Sequence, residues 1–141
     1  MKTAKQIAAE YQSFIADTGG RCWRCGRTAQ QRPRWWGAPF GIERAHICNK
    51  PRIEAREACI SLCSLCHRIQ HGDRFPQCQD RPLKIPELLA IKKWCDPEYW
   101  DRAFLQKCSI RRLPREATRK QVAKVAWIPC GGRTRVMRGR A

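Results

Sequence analysis

Acidic residues are scarce in this chain. Against 29 Lys and Arg stand only 12 Asp and Glu, which leaves a formal charge of +17 over 141 residues. That imbalance opposes self-association and favours a polyanion as partner. Long apolar runs are missing too. No stretch of eighteen apolar residues occurs, which excludes a membrane-spanning helix, and no membrane partner is expected. The opening residues Met1 to Gln6 lack the apolar core of a secretion signal, so the expected location is the reducing cytoplasm of a cell or a virus-infected host. No internal repeat is present, and histidine is limited to His46, His67 and His71, all inside one 26-residue window.

What the chain does have is arginine, cysteine and enough apolar surface, 43% of residues, for one modest core. Arginine outnumbers lysine, and its planar fork suits phosphate oxygens. Ala4, Ile7, Ala8, Tyr11, Phe14 and Ile15 recur at helical spacing and predict a helix over 3–18, stopped by Gly19-Gly20. Residues 27–40 read as a loop, 41–47 as a short strand, and 49–52 as a turn. Helices are expected over 62–71, 86–95, 97–108 and 114–127, the middle two each with a proline near the start. The organisation divides at residue 110. From 111 onward ten Lys or Arg face a single acid, Glu116, a net +9 in 31 residues, and 131–141 lacks any periodicity and reads as a disordered tail.

Ten cysteines in a reducing compartment read as thiols and metal ligands rather than disulfides. Cys22-x-x-Cys25 and Cys63-x-x-Cys66 supply four thiolates in two knuckles, and a two-residue gap lets both sulfurs of a pair reach one ion. Four protein ligands leave no open position, so the expectation is one structural Zn²⁺. The 37 residues between the knuckles exceed a simple ribbon and must carry structure of their own. The other six cysteines fit no ligand spacing and read mainly as small buried apolar groups, with a second metal site from Cys48, Cys59 and Cys78 as the alternative. Trp35 and Trp36, beside Arg32 and Arg34, allow either base stacking or core packing.

His67 and His71, four apart on an expected helix, project from one face and can share a cation. His46 lies on the strand leading to that helix. Glu43-Arg44-Ala45-His46-Ile47, followed by Leu62-Cys63-Ser64-Leu65-Cys66-His67-Arg68-Ile69-Gln70-His71-Gly72 and preceded by the first knuckle, resembles the ββα-metal motif of zinc-containing HNH endonucleases. The likeness spans about residues 20–72. It implies an α+β fold: a small zinc-stapled ββα core with added helices on the N- and C-terminal sides. It also implies metal-dependent hydrolysis of phosphodiester bonds in DNA. By position, His46 matches the general base, His67 the metal-binding histidine that closes the motif, and His71 a further ligand. Two motif positions differ: Ala45 stands where an acid or histidine ligand is usual, and Ala58 where the middle asparagine falls. Glu43, two residues before Ala45 on an alternating strand, is a candidate metal ligand, and Asn49, Glu54 and Glu57 are candidates to compensate in the loop.

The resemblance thus implies one divalent cation (Mg²⁺, Mn²⁺, Ni²⁺ or Zn²⁺) that polarises the phosphate, with neutral His46 taking a proton from water. Candidate nucleic-acid contacts are Arg44, Arg52, Arg56 and Arg68 near the site, and Arg111, Arg112, Arg115, Arg119, Lys120 and Lys124 in the basic segment. The alternative is a catalytically degenerate, zinc-stabilised protein that binds nucleic acid without cutting it.

Overall fold

Thr3 opens the first helix by accepting the Gln6 backbone N–H at 3.1 Å while the Gln6 side chain accepts the Thr3 N–H at 2.8 Å, a reciprocal cap. Helix α1 runs Ala4–Asp17, and its apolar stripe buries Phe14 completely. It ends where Gly19 and Gly20 take φ of 74° and 63°, values that a side chain would strain. The computed structural model describes residues 2–48 and 54–126. The turn expected at 49–52, with Arg52, and the tail from 131 lie outside the described residues.

Strands β1 (Ile42–His46) and β2 (Cys59–Cys63) pair antiparallel, Ile42 opposite Cys63 and His46 opposite Cys59. Helix α2 (Ser64–Gln70) follows β2 without a loop. The helix expected over 62–71 therefore starts late. Leu62 and Cys63 belong to the strand, because their ladder to Glu43 and Ile42 puts all five β2 residues in the core. Helices α3 (Ile85–Cys95), α4 (Arg102–Lys107) and α5 (Arg119–Ala123) complete a mixed α and β fold with five helices and one two-stranded sheet among the described residues.

Two further helices are shorter than their periodicity suggests. Pro97 starts only a 3₁₀ turn, Pro97–Tyr99, and Asp101 then caps a new helix by accepting the Phe104 N–H, so 97–108 is broken in two. The stretch expected over 114–127 is non-helical until Thr118, whose reciprocal cap with Gln121 starts α5. Leu113, Val122 and Ala126 join the same buried cluster as Phe14, Trp23, Ile60, Leu62, Leu65, Ile69, Leu88, Leu89 and Ile91. As far as residue 126, the basic segment packs onto the rest of the chain.

A buried ion cluster ties this core to the sheet. Lys92, with no exposed surface, donates Nζ to Asp96 Oδ2 at 2.8 Å and to the Arg56 carbonyl at 2.6 Å. Arg56 grips both Asp96 oxygens at 3.1 and 2.9 Å, donates to Asp17 at 2.6 Å, and lies 3.8 Å over the Tyr99 ring. The end of α1, the 3₁₀ turn before β2 (Arg56–Ala58) and the end of α3 are thereby fixed to one another.

Candidate metal centre and its histidine neighbours

The first knuckle closes because Gly26, at φ 81°, lets the chain fold back, with the Gly26 N–H on the Cys22 carbonyl at 2.8 Å and the Cys22 N–H on the Arg27 carbonyl at 2.9 Å. Cys63 caps α2, so the second knuckle is the strand-to-helix corner itself. Each knuckle aims a backbone N–H at its own first sulfur: Cys25 N on Cys22 Sγ and Cys66 N on Cys63 Sγ, both 3.4 Å. The Trp23 N–H on the Ser61 carbonyl, and Ser61 Oγ on the Arg21 carbonyl, sew the first knuckle to β2.

All four Sγ atoms lie within 4.8 Å of one another, and all four residues are buried. Four thiolates about 2.3 Å from a tetrahedral ion stand about 3.8 Å apart. Cys25 Sγ and Cys63 Sγ are 3.6 Å apart, close to that spacing, and these four cysteines could hold such an ion. Burial opposes ionisation of Cys22, yet hydrogen bonds from Cys25, Cys63 and Cys66 overcome it and hold that thiol well below its ordinary range. Cys63 and Cys66 are pushed well up, first by their bonds to Cys22. Among the described residues no second group of three or more ligand side chains is gathered this closely, so Cys48, Cys59 and Cys78 do not form one.

Beside this junction, β1 and α2 bring three expected site residues into line. Glu43 Oε1 lies 2.6 Å from His67 Nδ1, and His67 Nε2 lies 3.2 Å from His71 Nε2. An ionised carboxylate can only accept here, so Nδ1 is the donor of this contact. The contact to His67 holds the Glu43 carboxyl below its usual range against the opposing effect of burial, with help from Ser64 Oγ, which donates to Oε2 at 2.8 Å. Ser64, which also accepts the Gly41 N–H at 2.9 Å, had no signal in the sequence beyond its place at the start of α2.

His46 stands apart from that line. Side chains alternate along a strand, so Arg44 and His46 face opposite to Glu43 and Ala45. His46 Nε2 meets Glu54 Oε1 at 3.1 Å, and Arg44 Nη2 meets Glu54 Oε2 at 2.7 Å. His46 also borders a cavity of about 620 Å³, with Ile47, Cys48, Leu88, Arg111 and Arg112 among its walls. Ala45 and Ala58, the two departures from the motif, are both in the core.

The arginines divide by partner. Arg44 and Arg56 are committed to carboxylates within the fold, so their charges are used internally. Arg68 is exposed, pairs with Asp73 and lies 5.9 Å over Trp36. Arg111, Arg112, Arg115, Lys120 and Lys124 are exposed, and Arg119 lies 5.1 Å over Trp94. Trp36 is buried against Phe40 and Phe75, and Trp35 is half-buried beside it, so this pair serves packing first. No helix among the described residues is long and apolar enough to cross a membrane. Comparison with family models, curated proteins and solved structures finds no match for this chain.

Proposed function

We propose that this chain is a metal-dependent nuclease of the HNH kind, which hydrolyses phosphodiester bonds in nucleic acid, DNA before RNA. The observation that carries this reading is the Glu43–His67–His71 line, supported on a strand pair and helix that the four-cysteine cluster staples together. Two imidazole nitrogens on one tetrahedral ion stand about 3.3 Å apart, and the 3.2 Å between the two Nε2 atoms fits that edge. A carboxylate on the far nitrogen of a ligating histidine is the usual means of fixing its ring, which makes Glu43 an orienting group for His67. When bound, the cation would supply charge for the scissile phosphate. His67 and His71 would hold it, His46 would take a proton from water, and the exposed Arg68, Arg111, Arg112, Arg115 and Lys120 would draw in the backbone.

The alternative is a protein that binds nucleic acid without cutting it. The observation favouring it is that His46 faces away from Glu43 along β1. A plasmid-nicking assay separates the two. The nuclease reading expects supercoiled DNA to relax with at least one of Mg²⁺, Mn²⁺, Ni²⁺ or Zn²⁺. A mobility shift without relaxation under all four would overturn it in favour of binding.

A further inference from the structure

The cavity beside His46 is walled mainly by apolar side chains, Ile47, Ile85, Leu88, Ile110, Leu113 and Pro114 among them, and no acidic side chain lines it. Arg111 and Arg112, both exposed, line it too. Ile110 is 79% exposed, and among the described residues it is the one large apolar side chain left in that state. Close-packed interiors leave few voids larger than a water molecule, so about 620 Å³ of open apolar space has the size of a ligand site and not of a packing defect.

The segment Arg112-Leu113-Pro114 is a partition between this cavity and a polar recess of about 550 Å³, which Arg102, Arg115 and Glu116 complete. Glu116 is already neutralised there, by Arg102 at 2.9 Å and Lys93 at 3.3 Å. Arg112 and Arg115 are exposed, and neither forms an ion pair among the described residues. An apolar hollow and an uncommitted cationic recess thus stand on two sides of one short segment.

We propose that the cavity is a subsite for one unpaired base of a nucleic-acid strand, against which Ile110 stacks at the mouth while Arg112 and Arg115 hold the adjoining phosphates. The proposal rests on the nucleic-acid partner put forward above and adds which state of that partner is recognised. The chain's charge of +17 sets the sign of the partner. A nucleotide joins a flat apolar face to an anion one sugar away, the same succession that the two recesses present. Paired duplex keeps its bases stacked on one another and offers only the anion. An extruded or single-stranded base offers both.

The walls also predict weak preference among bases. The Gln70 amide donates to the Leu83 carbonyl at 3.0 Å, and its oxygen accepts the Leu83 N–H at 2.8 Å. Ser109 Oγ donates to the Leu105 carbonyl at 2.7 Å, and His46 Nε2 meets Glu54. With these groups bonded inside the fold, recognition comes from stacking and burial, which every base supplies.

The test measures the affinity of the full, zinc-loaded chain, with no other cation added, for three labelled DNA duplexes: blunt, with one bulged adenine, and with an abasic bulge. The adenine bulge should bind at least about fivefold tighter than the blunt duplex, the lower end for one stacked base, and the abasic bulge should bind like the blunt one. Ile110→Ser should abolish that preference and leave blunt-duplex affinity, zinc content and melting temperature within the small range of surface changes, about twofold in affinity. Arg112→Ala should weaken all three complexes. In methyl NMR spectra the bulged adenine should shift Ile85, Leu88 and Ile110 by its ring current. Equal affinity for blunt and bulged duplexes would refute the subsite and leave DNA binding standing. A preference that survives in Ile110→Ser, or with the abasic bulge, would refute it too. Binding to none of the three would remove nucleic acid as the partner, and the subsite with it. Sedimentation showing a DNA-free dimer that Ile110→Ser disperses would overturn the proposal in favour of a second copy in the hollow.

Discussion

Removing the ion from the four-cysteine cluster should unfold the sheet and both of its flanks. The four sulfurs lie within 4.8 Å of one another and come from two segments that share only a few backbone bonds. Structural zinc sites in small domains contribute roughly 10–16 kcal/mol of apparent binding energy near neutral pH. Whole-domain stabilities are about 5–15 kcal/mol, so loss of the ion exceeds or matches the entire margin. The thiols also fix the pH dependence. Against burial, the mutual hydrogen bonds pull Cys22 down, and they push Cys63 and Cys66 up; every cysteine that enters as a thiol must give up its proton when the ion binds. Apparent affinity should therefore fall steadily as pH drops below neutrality, because protons compete with the ion for the thiolates. Competition against a chromophoric chelator between pH 6 and 8 gives that slope, and circular dichroism with and without chelator gives the structural loss. Protein that keeps its ellipticity and melting temperature after complete zinc removal would refute the argument. So would a metal affinity that is flat with pH.

Four narrower outcomes follow from the same structure. His46→Ala should keep its fold, zinc and DNA affinity while nicking falls by at least ~10²-fold, whereas His67→Ala should lose activity that excess cation partly restores; equal nicking in wild type and His46→Ala would remove His46 as the base. Asp96→Ala strands the buried Lys92 ammonium and should cost about 3–5 kcal/mol, on the order of 10 °C in melting temperature, while Lys92→Met leaves Asp96 paired with Arg56 and should cost less. Asp96 is held below its ordinary range by Arg56 and Lys92 despite burial, so its contribution is complete above about pH 4 and is lost as pH falls through the depressed folded value; acid titration of stability in Asp96→Asn should lack that step. Arg111→Ala and Arg112→Ala should each flatten the salt dependence of duplex binding by ~0.9 in log–log slope, and an unchanged slope would take them out of the interface.

The parts of this fold that sequence makes legible are those with short-range causes. The two Cys-x-x-Cys spacings, the Phe14 stripe and the paired His67 and His71 each state a local geometry, and the structure brings the corresponding side chains together. Long-range competition hides the rest. Leu62 and Cys63 fit a helix period as well as a strand, and only pairing with β1 decides between them. Arg56 reads as a surface cation because nothing nearby in sequence announces Asp96, forty residues on. Lys92 gives no sign that it is buried, since its partner four residues later looks like an ordinary surface pair. Ser64 and Tyr11 are invisible for the same reason: what they hold lies on another element.

The two alanines explain where the polar work goes. Ala45 and Ala58 are 2% and 1% exposed, so a carboxylate or amide at either place would have to be desolvated within the core. A strand offers its next position on the same face two residues away, about 6.5 Å along, and for Ala45 that position is Glu43, at the half-exposed start of β1. From there the carboxylate meets His67 while keeping part of its surface in solvent. On the opposite face, Glu54 approaches His46 from the loop and also remains partly in solvent. Each of these histidines thus has a carboxylate at the rim of the sheet, with apolar side chains in the two interior positions. That division keeps the core dry and puts the orienting charges where water can support them. It also sets His46 on the face of β1 opposite to Glu43, the partner of His67. On the nuclease reading proposed above, a substrate phosphate reaching both would lie across the edge of β1, on the side where Arg111 and Arg112 border the His46 cavity. Crosslinking a photoreactive nucleotide to residues 109–112, and not to the Trp35 loop, is the outcome this geometry requires. Crosslinks confined to the loop would mean that nucleic acid runs along the opposite side of α2 and never reaches His46.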